Sequence, residues 1–139
     1  MVQLIVGKKG KGKTKELLDK VNKEIKSVQG NIVYLDKSTK HMYELNNKVR
    51  LINVLDYCIG NADEFVGFIS GIISQDHDLQ QMYLDSFLKI SCLEEKDIVP
   101  TIEKLEVISK NFDVDFIVSV SLDQSELPDS VKDKVIVAL

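Results

Sequence analysis

The residues that most clearly indicate chemistry are the eight from 7 to 14, GKKGKGKT, which hold three glycines and four lysines. Gly7, Gly12, Lys13 and Thr14 have the spacing G-x-x-x-x-G-K-[ST]. In that pattern the glycines let the backbone wrap with its N–H groups around phosphates. The lysine reaches the β and γ phosphates, and the threonine hydroxyl coordinates magnesium. The segment therefore predicts a phosphate-binding loop.

The surroundings of residues 7–14, called the phosphate loop below, are those that such a loop requires. The apolar run VQLIV before it indicates a strand, and a helix pattern follows it. A helix that begins at the loop presents the positive end of its dipole to phosphate. For the lysines other than Lys13, solvated loop charge is an equally good interpretation. The predicted ligand-binding residues are Gly7, Lys8, Lys9, Gly10, Lys11, Gly12, Lys13, Thr14 and Lys15.

A magnesium ion at such a loop also needs an acidic residue on a neighbouring strand. Asp85 ends the apolar run in QMYLDSF, and strand carboxyl ends line the ligand crevice of an open α/β sheet. We therefore expect Thr14 and Asp85 to bind the metal, Asp85 through the water shell of the ion. Asp36, which ends IVYLD, is a rival for this role, and a simple turn or cap role is the alternative for Asp85.

The elements that must position these residues are predicted by short apolar runs alternating with helical stripes. Continuous apolar runs are typical of strands covered on both faces. The stripes predict helices over 15–28 and 62–75, and a third that contains Ile102 to Phe112 with Pro100 in its first turn. The predicted strands are Val2–Val6, Ile32–Asp36, Leu51–Leu55, Met82–Asp85, Phe116–Val120 and Val135–Leu139.

This alternation predicts an α/β fold of three layers, with a mainly parallel sheet of about six strands and helices on both faces. At 139 residues the chain fits one domain, 1–139, because domains commonly have about 100 to 150 residues. Residues 37–50 read as a polar loop, and 121–133 as a segment with only a short helix.

Composition and charge exclude several classes of partner. The net charge is −4 and the only arginine is Arg50, so nucleic acid is an unlikely partner. No apolar run approaches the roughly 20 residues of a membrane span. Cys58 and Cys92 lack metal or disulfide spacing, and we expect buried free thiols. These features predict a cytoplasmic protein.

Four segments resemble parts of a RecA-like P-loop ATPase. LIVGKKGKGKT resembles its phosphate loop, NIVYLDKSTKHMYEL its second strand and the segment after it, YLDSFLKI its magnesium-binding strand, and FIVSVS its sensor strand. The whole sequence is also similar to small bacterial proteins loosely labelled twitching-motility retraction ATPases. The resemblance implies a P-loop NTPase fold with the strand order 3-2-4-5-1-6. It also implies ATP with Mg²⁺ as the ligand, and a homo-oligomer or protein partner.

The chain departs from the RecA-like pattern at the catalytic base. In that pattern the second strand ends in Asp-x-Glu, and the glutamate orients the attacking water. Here Ser38 stands at that position, and Ser86 rather than a glutamate follows Asp85. The catalytic residue is therefore unknown, with Ser38, Glu44 and Ser119 as weak candidates.

The sequence as a whole predicts a magnesium-dependent ATP-binding protein whose hydrolysis is slow or partner-activated. One alternative is a non-catalytic nucleotide-binding module that regulates or interacts with another protein. A small kinase is a weaker alternative.

Overall fold

Six strands form a single sheet: β1 (Val2–Val6), β2 (Asn31–Asp36), β3 (Arg50–Asn53), β4 (Leu79–Leu84), β5 (Asp115–Val120) and β6 (Val135–Ala138). The computed structural model describes all residues from 1 to 139. Every neighbouring pair of strands is parallel, in the order β3-β2-β4-β5-β1-β6. The predicted α/β class is confirmed, and the order is the one that the resemblance implies.

Four α-helices connect the strands: α1 (Lys13–Glu24), α2 (Ala62–Ser74), α3 (Phe87–Ile90) and α4 (Val99–Phe112). The helix predicted over 62–75 is confirmed to within one residue, and Pro100 lies in the first turn of α4 as predicted. The helix predicted over 15–28 begins earlier and ends earlier. Its final residues form a turn instead, in which the Lys26 N–H donates to the Lys23 carbonyl over 3.3 Å. Helix α3 was not predicted, because four residues are too few to show a helical period.

The segment 37–50, predicted to be a loop, contains one 3₁₀ turn at Met42–Glu44, and its last residue begins β3. The segment 121–133, predicted to hold only a short helix, contains 3₁₀ turns at Gln124–Glu126 and Asp129–Lys134. Strand β3 ends at Asn53 and not at Leu55 as predicted, because the Asn53 side chain accepts the Leu55 N–H over 3.2 Å and starts a further 3₁₀ turn. Strand β4 begins three residues before the predicted Met82. The prediction placed its start too late because Gln80 and Gln81 are polar and interrupt the apolar pattern.

Helices cover both faces of the sheet. On one face α1 packs Leu17, Leu18 and Val21 into a cluster of ten buried residues. Five strand side chains belong to this cluster: Ile5, Ile32, Tyr34, Tyr83 and Ile117. Ile25 and Val49 complete it. A larger cluster of 24 buried residues lies on the opposite face, under α2, α3 and α4. The central strands contact helices on both faces of the sheet, which explains why their sequences are continuously apolar.

Both cysteines are free, but the expectation that they are buried is wrong. Cys58 is exposed and Cys92 is half-buried. Cys58 lies in the connection between β3 and α2, outside both apolar clusters. Among the helices, none has both the length and the apolar character that crossing a bilayer demands.

Gly30 fixes how β2 starts beside β4. A Cβ atom at this position would overlap the Asp78 carbonyl oxygen and would lie 2.9 Å from Cγ of Gln80. The Asn31 N–H donates to the same carbonyl over 2.8 Å, so the backbone cannot move away without breaking that bond. We predict that Gly30→Ala lowers the free energy of unfolding by about 1–3 kcal/mol, measured by urea denaturation.

Gly71→Ala is the matched control, because a Cβ atom at Gly71 meets nothing within 4 Å. Gly71 lies in α2, where alanine favours the helix by about 0.5–1 kcal/mol over glycine. The two substitutions should therefore change stability in opposite directions. A Gly30→Ala protein as stable as the wild type would contradict this account of the strand start.

Candidate phosphate-binding site

Several of the predicted site residues lie at the carboxyl edge of the sheet, on the face covered by α1. Side chains alternate along a strand, so Tyr34 and Asp36 project to the same face. Tyr83 and Ile117 belong to the α1-side cluster. Continuing the alternation by two residues brings Asp85, directly after the end of β4, and Ser119, near the end of β5, to that face. The phosphate loop joins β1 to α1 at the same edge.

The phosphate loop has the backbone conformation that its glycines permit. Gly12 is the N-cap of α1 with φ 97° and ψ 20°, in the left-handed region that residues with a Cβ atom rarely adopt. From Lys8 to Gly12, only the Lys11 N–H donates to another backbone group, the Lys8 carbonyl at 3.2 Å. The first N–H groups of α1 also lack intrahelical acceptors. The bend thus presents several unpaired N–H donors next to a helix N-terminus.

Lys13 places an ammonium group inside this bend. Its side chain is only 8% exposed, and its Nζ donates to the Lys8 carbonyl over 3.1 Å. None of the ion pairs of the protein involves Lys13. Burial lowers the pKa of Lys13, and the charge of Asp85 acts in the opposite direction. A buried cation without an anionic partner is favourable for an incoming phosphate.

Asp85 is the most highly connected polar residue of the site. Its Oδ1 accepts from the Ser119 hydroxyl at 2.8 Å, the Ser86 N–H at 2.9 Å and the Thr14 hydroxyl at 3.3 Å. Its Oδ2 accepts from the Tyr34 hydroxyl at 2.7 Å. The structure therefore brings together Thr14 and Asp85, the two residues predicted to bind metal, with Ser119 beside them.

Asp36 lies at the end of β2, next to the strand that leads to Asp85. It is 3% exposed, and its Oδ1 accepts the Lys37 N–H over 2.7 Å. Burial raises the pKa of Asp36, and the negative charge of Asp85 raises it further. A cation bound beside Asp36 would offset this cost, because it favours the ionised form of the carboxyl group.

The remaining lysines of the loop are exposed. Lys15 pairs with Asp19 over 2.8 Å, which raises the pKa of Lys15. Hydrogen bonds from Ser125 lower the pKa of Asp123, and the charges of Lys8 and Lys11 lower it further. The loop after β5 therefore lies close enough to the phosphate loop for these charges to interact.

The weak catalytic candidates have different surroundings. Ser119 is buried and donates to Asp85. Ser38 is half-buried, and its hydroxyl accepts the Lys40 N–H over 3.4 Å. Glu44 is exposed, its carboxylate contacts Nδ1 of His41 over 2.9 Å, and its carbonyl accepts from Asn22 in the second half of α1. Only Ser119 belongs to the hydrogen-bond network around Asp85.

The chain matches no protein-family model, and no curated protein is significantly similar to it. The interpretation of the site therefore depends on its own residues and geometry.

Tyr34 is a residue of the site that the sequence patterns did not reveal. It lies within the apolar run IVYLD and reads as an ordinary core side chain. The available signal was its hydroxyl, because a buried tyrosine usually requires a hydrogen-bond acceptor. Tyr34 and Asp36 lie two positions apart and thus share a face, which indicates that this acceptor belongs to the polar edge of the sheet.

The raised pKa of Asp36 leads to a prediction about stability. The folded protein holds the Asp36 proton more tightly than the unfolded chain does, so ionisation lowers stability as pH rises through the raised pKa. Above that pKa the whole loss is present. We predict that Asp36→Asn raises the free energy of unfolding of the metal-free protein at neutral pH, measured by urea denaturation. The gain should disappear below the ordinary carboxyl pKa of 3.8.

Asparagine keeps the oxygen that accepts the Lys37 N–H, so the substitution removes mainly the charge. Asp133→Asn, at an exposed carboxylate without a hydrogen bond or ion pair, is the control and should leave stability unchanged. An Asp36→Asn protein less stable than the wild type at neutral pH would show that this carboxylate does not carry an electrostatic cost.

Proposed function

We propose that the protein binds ATP with Mg²⁺ through the phosphate loop, and that it hydrolyses the nucleotide slowly or only when a partner or a second copy is bound. The observation that carries the proposal is the juxtaposition of the unpaired Lys13 ammonium with the hydrogen bond of 3.3 Å between Thr14 and Asp85. The Lys13 ammonium would attract the phosphates, and Thr14 and Asp85 would supply oxygens for a hard cation beside them.

Polyphosphate is the ligand class that this geometry favours. The N–H groups of the bend and of the first turn of α1 are donors for phosphate oxygens, and the dipole of α1 adds a partial positive charge. Lys13 contributes a charge-assisted hydrogen bond at low exposure, where such bonds are strong. The exposed Lys8, Lys9 and Lys11 raise the local concentration of polyanions in a chain that is acidic overall.

The donor set around Asp85 fits Mg²⁺. Hydroxyl and carboxylate oxygens are the hard ligands that this ion prefers, and it usually binds through one or two carboxylates together with phosphates and water. The protein has no group of three or more His, Cys, Asp or Glu side chains arranged for a metal. Phosphate oxygens and water would complete the coordination of the ion. Thr14 would coordinate the ion directly, and Asp85 through water. The ion neutralises charge on the phosphates.

The surroundings of the catalytic candidates favour slow turnover. Ser38 is a serine, so this position lacks the carboxylate that would orient an attacking water. The Glu44 carbonyl accepts a hydrogen bond from Asn22, which holds Glu44 against α1. Arg50 is exposed at the amino end of the edge strand β3, whereas the site lies at the carboxyl ends of the strands. The absence of a carboxylate at Ser38 also favours a second candidate function, a module that binds ATP and changes conformation without hydrolysing it.

The first test is the dependence of ATP affinity on Lys13. Lys13→Ala removes one charge-assisted hydrogen bond and should weaken MgATP binding by about 10- to 100-fold, measured by isothermal titration calorimetry. Lys15→Ala is the matched control. Lys15 is among the predicted ligand-binding residues, but in the structure it is exposed and paired with Asp19, so its loss should change affinity by about twofold or less. Equal affinities of the two variants would count against the proposed binding mode.

The second test concerns hydrolysis. Phosphate release from MgATP should be slow, should disappear in Lys13→Ala, and should accelerate as protein concentration rises if a second copy completes the site. Release should be followed over a wide range of protein concentrations, with Lys15→Ala as the control. If binding depends on Lys13 but no concentration yields Lys13-dependent release, the non-catalytic module is the correct function.

A further inference from the structure

The two oxygens of the Asp85 carboxylate have different partners. Oδ1 faces the ligand side of the site, where it accepts from Thr14, Ser119 and the Ser86 N–H. Oδ2 accepts only from the Tyr34 hydroxyl, over 2.7 Å. The carboxylate is 2% exposed, so water cannot readily replace a lost donor. The hydrogen bond from Tyr34 therefore helps to fix the orientation of the carboxylate, with its other oxygen towards Thr14.

Tyr34 is held in one position by its surroundings. It is fully buried, and its ring stacks on that of Tyr83 with 6.1 Å between centroids and 10° between planes. The Tyr34 hydroxyl lies 2.7 Å from Oδ2 of Asp85, which can only accept a hydrogen bond when ionised. The hydroxyl has one proton, and that proton goes to Asp85.

We propose that Tyr34 is a positioning residue for the magnesium-bound nucleotide, acting through Asp85. By binding Oδ2, it prevents the carboxylate from rotating and keeps Oδ1 directed at Thr14, where the metal water shell would lie. This inference rests on the proposed function. The Tyr34 hydroxyl donates to Asp85 and to no group of the phosphate loop, and the Lys13 ammonium donates to the Lys8 carbonyl, so the effect of the hydroxyl should be confined to the metal.

Tyr34→Phe tests the inference by removing one oxygen and leaving the stacked ring. Partners that orient metal-binding groups typically change metal affinity by about 10- to 100-fold, so the Mg²⁺ concentration that half-maximally tightens ATP binding should rise by about 10-fold or more. ATP affinity measured in EDTA should not change. Calorimetric titrations with ATP at a series of free Mg²⁺ concentrations give both quantities.

Tyr83→Phe is the matched control. Tyr83 is also buried and stacks on the same ring, but its hydroxyl donates to Gln81 over 2.9 Å. Its loss should move neither the Mg²⁺ midpoint nor the affinity in EDTA. If Tyr34→Phe and Tyr83→Phe share one midpoint, the positioning role is wrong. A Tyr34→Phe protein that loses affinity equally in EDTA and in Mg²⁺ also overturns it, because the hydroxyl would then support only the fold.

A measurement on the unsubstituted protein covers the case in which Tyr34→Phe does not fold. In protein with ¹³Cζ-labelled tyrosine, the Tyr34 resonance should shift when Mg²⁺ is added to the ATP complex, and the Tyr83 resonance should not. An unmoved Tyr34 resonance contradicts the inference. If the wild-type protein binds ATP in an Mg²⁺-dependent way but the Tyr34 measurements give the contrary results, only the positioning role is wrong. If the wild-type protein does not bind ATP, the proposed function is wrong as well.

Discussion

The burial of the Asp85 carboxylate is the constraint on which the rest of the site depends. An ionised carboxylate removed from water must accept several hydrogen bonds, or it destabilises the fold. Here four donors come from four places: Thr14 in α1, Tyr34 in β2, Ser119 in β5 and the backbone of Ser86. Because each donor belongs to a different part of the chain, satisfying one carboxylate requires the first turn of α1 and the ends of three strands to meet.

The charges at this meeting point are unbalanced in a way that suits a nucleotide and its metal. Asp36 and Asp85 are both buried, and burial together with the charge of Asp85 raises the pKa of Asp36, while Lys13 is a buried cation that no carboxylate pairs with. Phosphate groups near Lys13 and a divalent cation near the carboxylates would correct both imbalances together. Phosphate alone would neutralise only Lys13, and a cation alone would neutralise only the carboxylates. This agrees with a ligand that carries metal and phosphate together.

The sequence predicted the fold well because the central strands are apolar on both faces and the glycine pattern marks the bend before α1. It located Asp85 and Thr14 because motif spacing and strand ends are local features. Tyr34 was missed because it stands inside an apolar run, and its contact with Asp85 depends on the register of β2 against β4, which the expected strand order does not give. The predicted end of β3 and the predicted start of β4 differ from the structure for local reasons. Asn53 caps a 3₁₀ turn that ends β3, and two polar residues occupy the beginning of β4.

The central claim is that one site holds both the triphosphate and the metal. A crystal structure of the protein with Mg²⁺ and a non-hydrolysable ATP analogue tests this most directly. The account predicts the β and γ phosphates inside the phosphate loop, in contact with the Lys13 ammonium, and the ion bonded to the Thr14 hydroxyl with Asp85 on its water shell. A triphosphate bound elsewhere on the protein, with Thr14 still donating to Asp85, would contradict it.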